Sequence, residues 1–562
     1  MIESHNNLLP RGFSLNEKGL YFEENWICSP IQVLAYTRDE NNENWGRLVR
    51  FADLDGYTHE WAIPMELLGG EGTELFSTLL SLGLRFNNQR SAKNRFIEYL
   101  QSIKLDNRAL CTARIGWYID LFILPDGAIP KSNEIYLQSE NTNFAGFRVA
   151  GSLENWQRTI ALPCKGNSRL IFALSCAFAA PMLPLMNAES GGFNLKGASS
   201  IGKSTALAVA ASVWGSPKYL QQWKATSNAL EAVAEAHNNT LLCLDELGQI
   251  DGKEAGEVIY MLANGSGKNR LKAKGGLRKK FEWNILFLST GEISLTDKVN
   301  EAGKKAQAGI FNRMVDIPAD AGKGYRLFDT LHTYPDGNAL ASHLKDCCHK
   351  YYGIAIRSFI PYLVTLKEQL PKVLQKIQED FFAKYVPQHA DGQVRRVAQR
   401  FVLIAAGGEL AIKLNILPFD IGEALEAIGI CFGAWLEDRG SVGAYEIEEG
   451  LRQVRAFFEA HHSSRFAIMS NEGSYSQEQK INNQVGYKRK TNQGNYEFFV
   501  FPGVFRKEIC KGFDPRSICK ELAERGALIR GNERQFIKTQ QLPPGKMKIY
   551  HFTPAILMED GE

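Results

Sequence analysis

The chain lacks a charge imbalance: 65 Lys and Arg stand against 62 Asp and Glu, a net of +3. That excludes a globally basic protein, so any nucleic-acid contact must come from local clusters. None of the ten cysteines forms a C-x-x-C pair, which removes the ordinary zinc-ribbon and dithiol patterns. Cys347 and Cys348 with His343 and His349 are the one grouping of metal-ligand types. Adjacent cysteines on a helix point in different directions, so no closed zinc site is expected there. Scattered thiols fit a reducing compartment, and a cytoplasmic location is expected. The first residues, MIESHNNLLPRGF, have no apolar core of the kind a signal peptide needs. Only Leu170 to Ala188 is uncharged for long enough to suggest a membrane span. Pro181 and Pro184 interrupt it, so a buried helix leading into a core is the expectation, with no membrane partner. Repeats and long low-complexity tracts are also missing.

What is present is enough for several domains, since 562 residues suggest two to four. Residues 1–150 read as a mixed α/β domain. Short strands are expected at Ile31–Tyr36, Trp45–Ala52 and Tyr57–Ile63, with a hairpin at Asp53-Leu54-Asp55-Gly56. Residues 72–103 look helical through Leu75, Leu79, Leu82 and Phe86. No catalytic constellation falls in this part. From about 160 the pattern alternates helix and strand, the signature of a parallel α/β sheet. The reading is a core over 151–340 and a helical lid over 341–462, with periodic segments at 357–386 and 394–414. A polar linker follows near 463–476, and a small domain covers 477–562.

The strongest signal is Gly197-Ala-Ser-Ser-Ile-Gly202-Lys203-Ser204, a complete G-x-x-x-x-G-K-S. It follows the strand-like Phe193–Leu195 and opens a helix that continues from Thr205 to Val213. Glycines let backbone amides converge on phosphate oxygens, and the helix N-terminus adds a favourable dipole. Gly197, Ser199, Ser200, Ile201, Gly202, Lys203, Ser204 and Thr205 are the expected nucleotide-binding residues. Lys203 would sit on the β- and γ-phosphates of ATP, and Ser204 would ligate Mg²⁺. Thr240-Leu-Leu-Cys-Leu-Asp245-Glu246 is an apolar strand ending in two carboxylates, placed where ligands bind in open α/β sheets. Asp245 is the expected Mg²⁺ partner and Glu246 the expected base or positioner of water. A third strand, Asn284 to Thr290, ends in Ser289 and Thr290. These hold the lytic water or γ-phosphate, or else cap the next element.

Together Gly197–Thr205, His237–Leu247, Tyr260–Lys268, Leu288–Glu292, Arg313–Asp320 and Arg396–Leu410 resemble one family. It is a domain-of-unknown-function family of helicase-like AAA+ proteins of phages and mobile islands. It is similar to the self-loading, MCM-like replicative helicases of staphylococcal chromosome cassettes, over about residues 20–440. The resemblance implies a ring, usually hexameric, with ATP bound between subunits. It also implies that Arg313 is a finger arginine reaching a neighbour's γ-phosphate. Arg395 or Arg396 would be the lid's second sensor, and Arg396 is taken as nucleotide-binding. Arg400 shares a face with it.

Residues 265–280 carry seven basic residues and no acid, with glycines placed for a hairpin. In MCM-like motors a hairpin here enters the channel, so Lys268, Arg270, Lys272 and Lys274 are expected DNA contacts. The alternative puts some of them on a neighbour's nucleotide. At the C-terminus, Lys488-Arg489-Lys490, Arg506-Lys507, a helix at Pro515–Arg525 and strands toward Met547–Thr553 suggest a winged helix, with Lys538–Lys548 as wing. Such a module docks DNA or a protein. The whole is read as an α/β P-loop NTPase of the AAA+ type, with helical lid, mixed N-terminal domain and winged-helix-like C-terminal domain. The expected function is an ATP-dependent DNA helicase or translocase replicating a mobile element or phage. A regulatory or defence switch that binds DNA without unwinding, and a packaging-type translocase, are the alternatives.

Overall fold

The computed structural model describes residues 9–558, except 133, 140–144, 269–279, 304–307, 440–444, 470–480 and 533–534. The chain forms two compact units. The first comprises Met1–Val386 with Arg396–Asp438, the second Pro387–Arg395 with Arg439–Glu562.

In the first unit, a three-stranded meander (Phe13–Asn16, Gly19–Phe22, Asn25–Cys28) precedes a mixed five-stranded sheet. That sheet runs in the order Ile135–Leu137, Arg108–Thr112, Ile31–Arg38, Gly46–Ala52, Thr58–Pro64. The hairpin expected at Asp53–Gly56 forms, with Ala52 opposite Thr58. Its carboxylate organises the turn, accepting from the amides of Asp55 and Tyr57. The helical stretch expected over 72–103 divides into Thr73–Ser81 and Arg90–Ser102. Gly83 at φ +89 takes the left-handed conformation, and Leu84 N donates to Leu79 O, closing the first helix.

The core sheet has five parallel strands: β1 (Gly191–Lys196), β2 (Gln221–Gln222), β3 (Leu241–Asp245), β4 (Leu286–Gly291) and β5 (Met314–Pro318). Their order is β2-β3-β4-β1-β5. Continuous apolar runs explain the strands. Leu241, Leu242, Cys243 and Leu244 are all fully buried because helices cover both faces. The uncharged segment from Leu170 forms part of a wholly buried helix, Ser168–Ala179. Even Arg169 is buried within it, donating to the carbonyls of Pro318 and Asp320. Among the described residues, no helix is long and apolar enough to cross a membrane.

Beyond β5 come helices Gly337–Cys348, Ile354–Leu366, Leu370–Tyr385, Gly392–Lys413 and Glu423–Arg439. The stretch expected over 357–386 is two helices, the second with Pro371 in its first turn. His343 hydrogen-bonds the Thr159 carbonyl at 3.0 Å, and Cys347 and Cys348 are free thiols.

The second unit starts earlier than the expected 477. Helix Tyr445–His461, within the span read as lid, packs Leu451, Val454 and Phe458 against Phe466, Phe498 and Phe552. The expected linker at 463–476 contains a strand, Phe466–Met469, paired with Gly486–Lys490. The helix Pro515–Glu524 and the hairpin of Ile537–Leu542 with Gly545–Phe552 are those sought for a winged helix. They belong, however, to a six-stranded sheet, larger than that motif alone. Two of the expected basic residues are engaged internally. Lys488 Nζ donates to His462 O at 2.7 Å, and Arg489 Nε donates to Glu497 at 2.6 Å. Lys546 and Lys548 are exposed on the hairpin.

Candidate nucleotide-binding site

The loop from Gly197 leaves the C-terminal end of β1 and enters the helix Lys203–Trp214. Ser200 at φ +59 and Gly202 at φ +110 bend the backbone inward, the local arrangement that turns successive amides toward an anion. A side chain at Gly202 would meet Leu327 Cβ at 3.1 Å, a second reason for glycine there. Ser199, Ser200, Ile201, Gly202, Lys203, Ser204 and Thr205 line one end of a cavity of about 1060 Å³. Lys203 Nζ donates to the carbonyls of Gly197 at 2.8 Å and Ala198 at 2.6 Å. Burial lowers its pKa below the usual lysine value, while Glu292, Asp245 and Glu246 pull the other way.

The carboxylates arrive from β3. Ser204 Oγ donates to Asp245 Oδ1 at 3.4 Å. Thr290 Oγ1 donates to the same oxygen and accepts from the Glu246 amide at 3.3 Å. Thr290 reaches both because β4 is the immediate neighbour of β3, with Leu244 opposite Ser289. Glu246 sits at φ +60, a conformation uncommon for a residue with a side chain. Its Oε2 accepts from Gln249 Nε2 at 2.5 Å. One hydroxyl thus ties both acids to the strand beside the phosphate loop. The hard oxygen donors of Ser204 and Asp245 fit Mg²⁺, which keeps to such ligands.

Ser289 is not part of this group. Successive strand residues face opposite sides, and its fully buried Oγ accepts from Trp223 Nε1 at 2.9 Å. Arg396 is likewise away from the cavity. It lines a second pocket, of about 460 Å³, with Arg313, Arg400, Glu189, Asn264 and Asn312. This pocket lies at the opposite end of the sheet, because Met314 pairs with Gly192 while Pro318 pairs with Lys196. Four residue steps along the strand separate these pairs by about 13 Å. Arg313 is held there by Asn264 Oδ1 at 3.3 Å and Gly309 O at 2.9 Å, with its guanidinium 4.3 Å over the Tyr260 ring.

The basic loop between β3 and β4 is described only at its stem. Ser266 bridges Glu282, and Gly267 N donates to Phe281 O at 2.9 Å. Lys268 is exposed, its amide donating to buried Glu231 at 3.3 Å. Arg270, Lys272 and Lys274 lie outside the described residues.

A family model, described as a domain of unknown function (DUF927), matches residues 7–282. That stretch, just under half of the chain, is similar to DUF927. The family resemblance read from the motifs therefore holds, with the match running from the N-terminal sheets through the phosphate loop and the acid strand. Thr290, Arg313 and Arg396 lie beyond it. Among solved structures, SCCmec type IV Cch, described as an active helicase, matches with a TM-score of 0.68 and 18% identity over 96% of each chain. At that identity the likeness is one of fold. NtrX from Brucella abortus matches with a TM-score of only 0.16, at 14% identity over 41% of this chain and 45% of its own, and carries no weight. No curated protein matches the chain.

Beyond the stretch similar to DUF927, the other side of the large cavity escaped the sequence reading. Tyr325, Arg326 and Phe328 close over the phosphate loop, and Asn338, Ala341, Ser342 and Lys345 of helix Gly337–Cys348 form the far wall. Arg326 Nη1 donates to Ser200 O at 2.8 Å, and Leu327 N to Ile201 O at 3.2 Å. Both bonds end on main-chain carbonyls of the phosphate loop, which no residue pattern announces.

Proposed function

We propose that the protein is an ATPase that drives unwinding or translocation of DNA, in the replication of a mobile element or phage, as a homo-oligomeric, hexameric ring of the kind its family resemblance implies. The observation that carries this reading is the gathering of Lys203, Ser204, Asp245, Glu246 and Thr290 around one cavity at the C-terminal edge of a parallel sheet. Its fold likeness to a helicase supports the DNA-directed half of the reading.

On this reading the loop amides and Lys203 hold the β- and γ-phosphates, and Glu246 orients the attacking water. Mg²⁺ held by Ser204 and Asp245 would offset phosphate charge. Thr290 keeps the two acids in register with the loop. Arg313 serves a neighbouring copy, since it sits at the far end of its own sheet, and Arg396 in the same pocket serves there with it. The exposed Lys268, together with Arg270, Lys272 and Lys274, contacts the DNA backbone.

Strand displacement on a forked duplex tests the reading. Wild type separates the strands in the presence of ATP and Mg²⁺, and Lys203→Ala does not. ATP hydrolysis stimulated by DNA with no strand separation would replace helicase with translocase or switch. Absence of any ATP hydrolysis would remove the motor altogether.

A further inference from the structure

Arg400 lies one turn beyond Arg396 on helix Gly392–Lys413, and both border the pocket that holds Arg313. Their surroundings differ. Arg396 is exposed, whereas Arg400 is partly buried and its Nη1 donates to Asn312 O at 2.7 Å and Arg313 O at 3.4 Å. The Arg313 carbonyl also accepts from Gly192 N at 2.8 Å, where β5 joins β1. Arg400 therefore grips the main chain at the residue whose side chain faces the pocket. Room for this is made by Gly191, where a Cβ would stand 2.5 Å from Arg400 Cζ. Burial lowers the Arg400 pKa to about 10, with Glu189 acting against it, so the group stays charged at neutral pH.

We propose that Arg400 is a positioning residue. It fixes the Asn312–Arg313 backbone so that the Arg313 guanidinium is presented to the triphosphate of a second copy of the chain. A guanidinium has five donors in a fixed fork and cannot lose its charge in this range, which suits it to clamping carbonyls from a helix. The proposal rests on the reading of Arg313 as acting on a neighbour's nucleotide.

A double-mutant cycle on the full-length protein tests it, with ATP turnover and binding of a fluorescent ATP analogue as readouts. Arg400→Gln is expected to bind the analogue as wild type does, because its own phosphate loop is at the other end of the sheet. Turnover should fall at least tenfold. Arg400→Lys should recover part of it, since an ammonium can still reach one carbonyl. The Arg313→Ala, Arg400→Gln double variant should be no slower than Arg313→Ala alone, because Arg400 acts only through Arg313. Gly191→Ala, which pushes the guanidinium aside without changing charge, should reproduce Arg400→Gln and carries the same cycle if Arg400→Gln fails to bind the analogue. Losses that multiply in the double variant would make Arg400 merely structural and overturn the proposal. Wild-type turnover in Arg400→Gln with Arg313→Ala inactive overturns the proposal alone. Wild-type turnover in Arg313→Ala removes the reading of the finger, and the proposal with it.

Discussion

The two ends of the core sheet are built from opposite chemistry. At the C-terminal edge, loop amides and one ammonium face two carboxylates across a large cavity. At the N-terminal edge, Arg313, Arg396 and Arg400 gather with asparagine side chains and a single carboxylate, Glu189. Parallel strands place all their C-terminal ends on one side, so loops that must converge on a ligand belong there. The other end is free to carry charge for a different task. With about 13 Å of strand between them, the guanidiniums of one chain cannot neutralise phosphate held by its own loop. The first edge has the parts of a binding site. The second has three cations against one carboxylate and no phosphate loop, which is what a surface completing another copy's site would have.

The largest effect should come from separating these edges genetically. Arg313→Ala is expected to lower ATP turnover by about 10³-fold or more, the range found for finger arginines, with nucleotide binding retained. Mixing it with Lys203→Ala, itself inactive, should restore part of the turnover, because each supplies the edge the other lacks. Turnover that does not recover on mixing would place Arg313 in a single-chain role.

Glu246→Gln should cost somewhat less, about 10²- to 10⁴-fold in turnover, and should leave ATP bound longer. Mixing with Arg313→Ala gives a sharper result here. Recovery requires one interface with both an intact Glu246 and an intact Arg313, and mixed assemblies contain such interfaces. Equal loss of ATP binding and turnover in Glu246→Gln would instead show that the acid shapes the pocket.

The C-terminal edge was largely legible in the sequence, and the reason is physical. A phosphate cradle needs glycine torsions, a lysine and a hydroxyl at consecutive positions, so its chemistry is compressed into eight residues. The acid strand is legible for the same reason, as carboxylates at the end of an apolar run. The N-terminal edge was legible only through the family resemblance, which named its arginines but not their contacts. Arg313, Arg396 and Arg400 come from two distant segments, and which of them faces the pocket or grips a carbonyl depends on how a helix lies against a strand end. The far wall of the cavity, formed by Tyr325 and helix Gly337–Cys348, was hidden for the same cause. Composition also concealed the fate of the basic residues near the C-terminus, where Lys488 and Arg489 are occupied by His462 and Glu497.

Each edge also buries a titrating group, with opposite consequences. His237, at the entry to β3, has its pKa lowered to about 4 by burial, against a hydrogen bond to Val233 O. Its native form binds fewer protons than the unfolded one, so its contribution is lost as pH falls from 6.5 toward 4, by about 3 kcal/mol at most. Asp316 on β5 accepts from Leu295 N, beside the C-terminal edge, and its pKa is raised to about 6 by burial, against the Asn194 hydrogen bond. It binds more protons when folded, so its contribution falls as pH rises from about 4 through 6, by a similar amount. The two slopes oppose each other across one window. Relative to wild type, His237→Asn should therefore gain thermal stability on acidification between pH 6.5 and 4, and Asp316→Asn should lose it. Thermal midpoints measured across that range check both signs, and parallel profiles for the two variants would refute the assignment.

The smallest effect should separate two adjacent hydroxyls on one strand. Thr290 bonds Asp245 and the Glu246 amide, whereas Ser289 bonds Trp223 on the opposite face. Thr290→Ala removes a hydrogen bond to a charged group, so turnover should fall about tenfold or more with little change in thermal midpoint. Ser289→Ala leaves the buried Trp223 N–H without that acceptor, which should lower stability by about 1–3 kcal/mol while turnover per folded molecule stays unchanged. Were Ser289→Ala to slow hydrolysis as much as Thr290→Ala, the strand would be transmitting strain across the sheet. The division of labour between its two faces would then fail, and with it the idea that the cavity-facing hydroxyl alone keeps the acid pair in register.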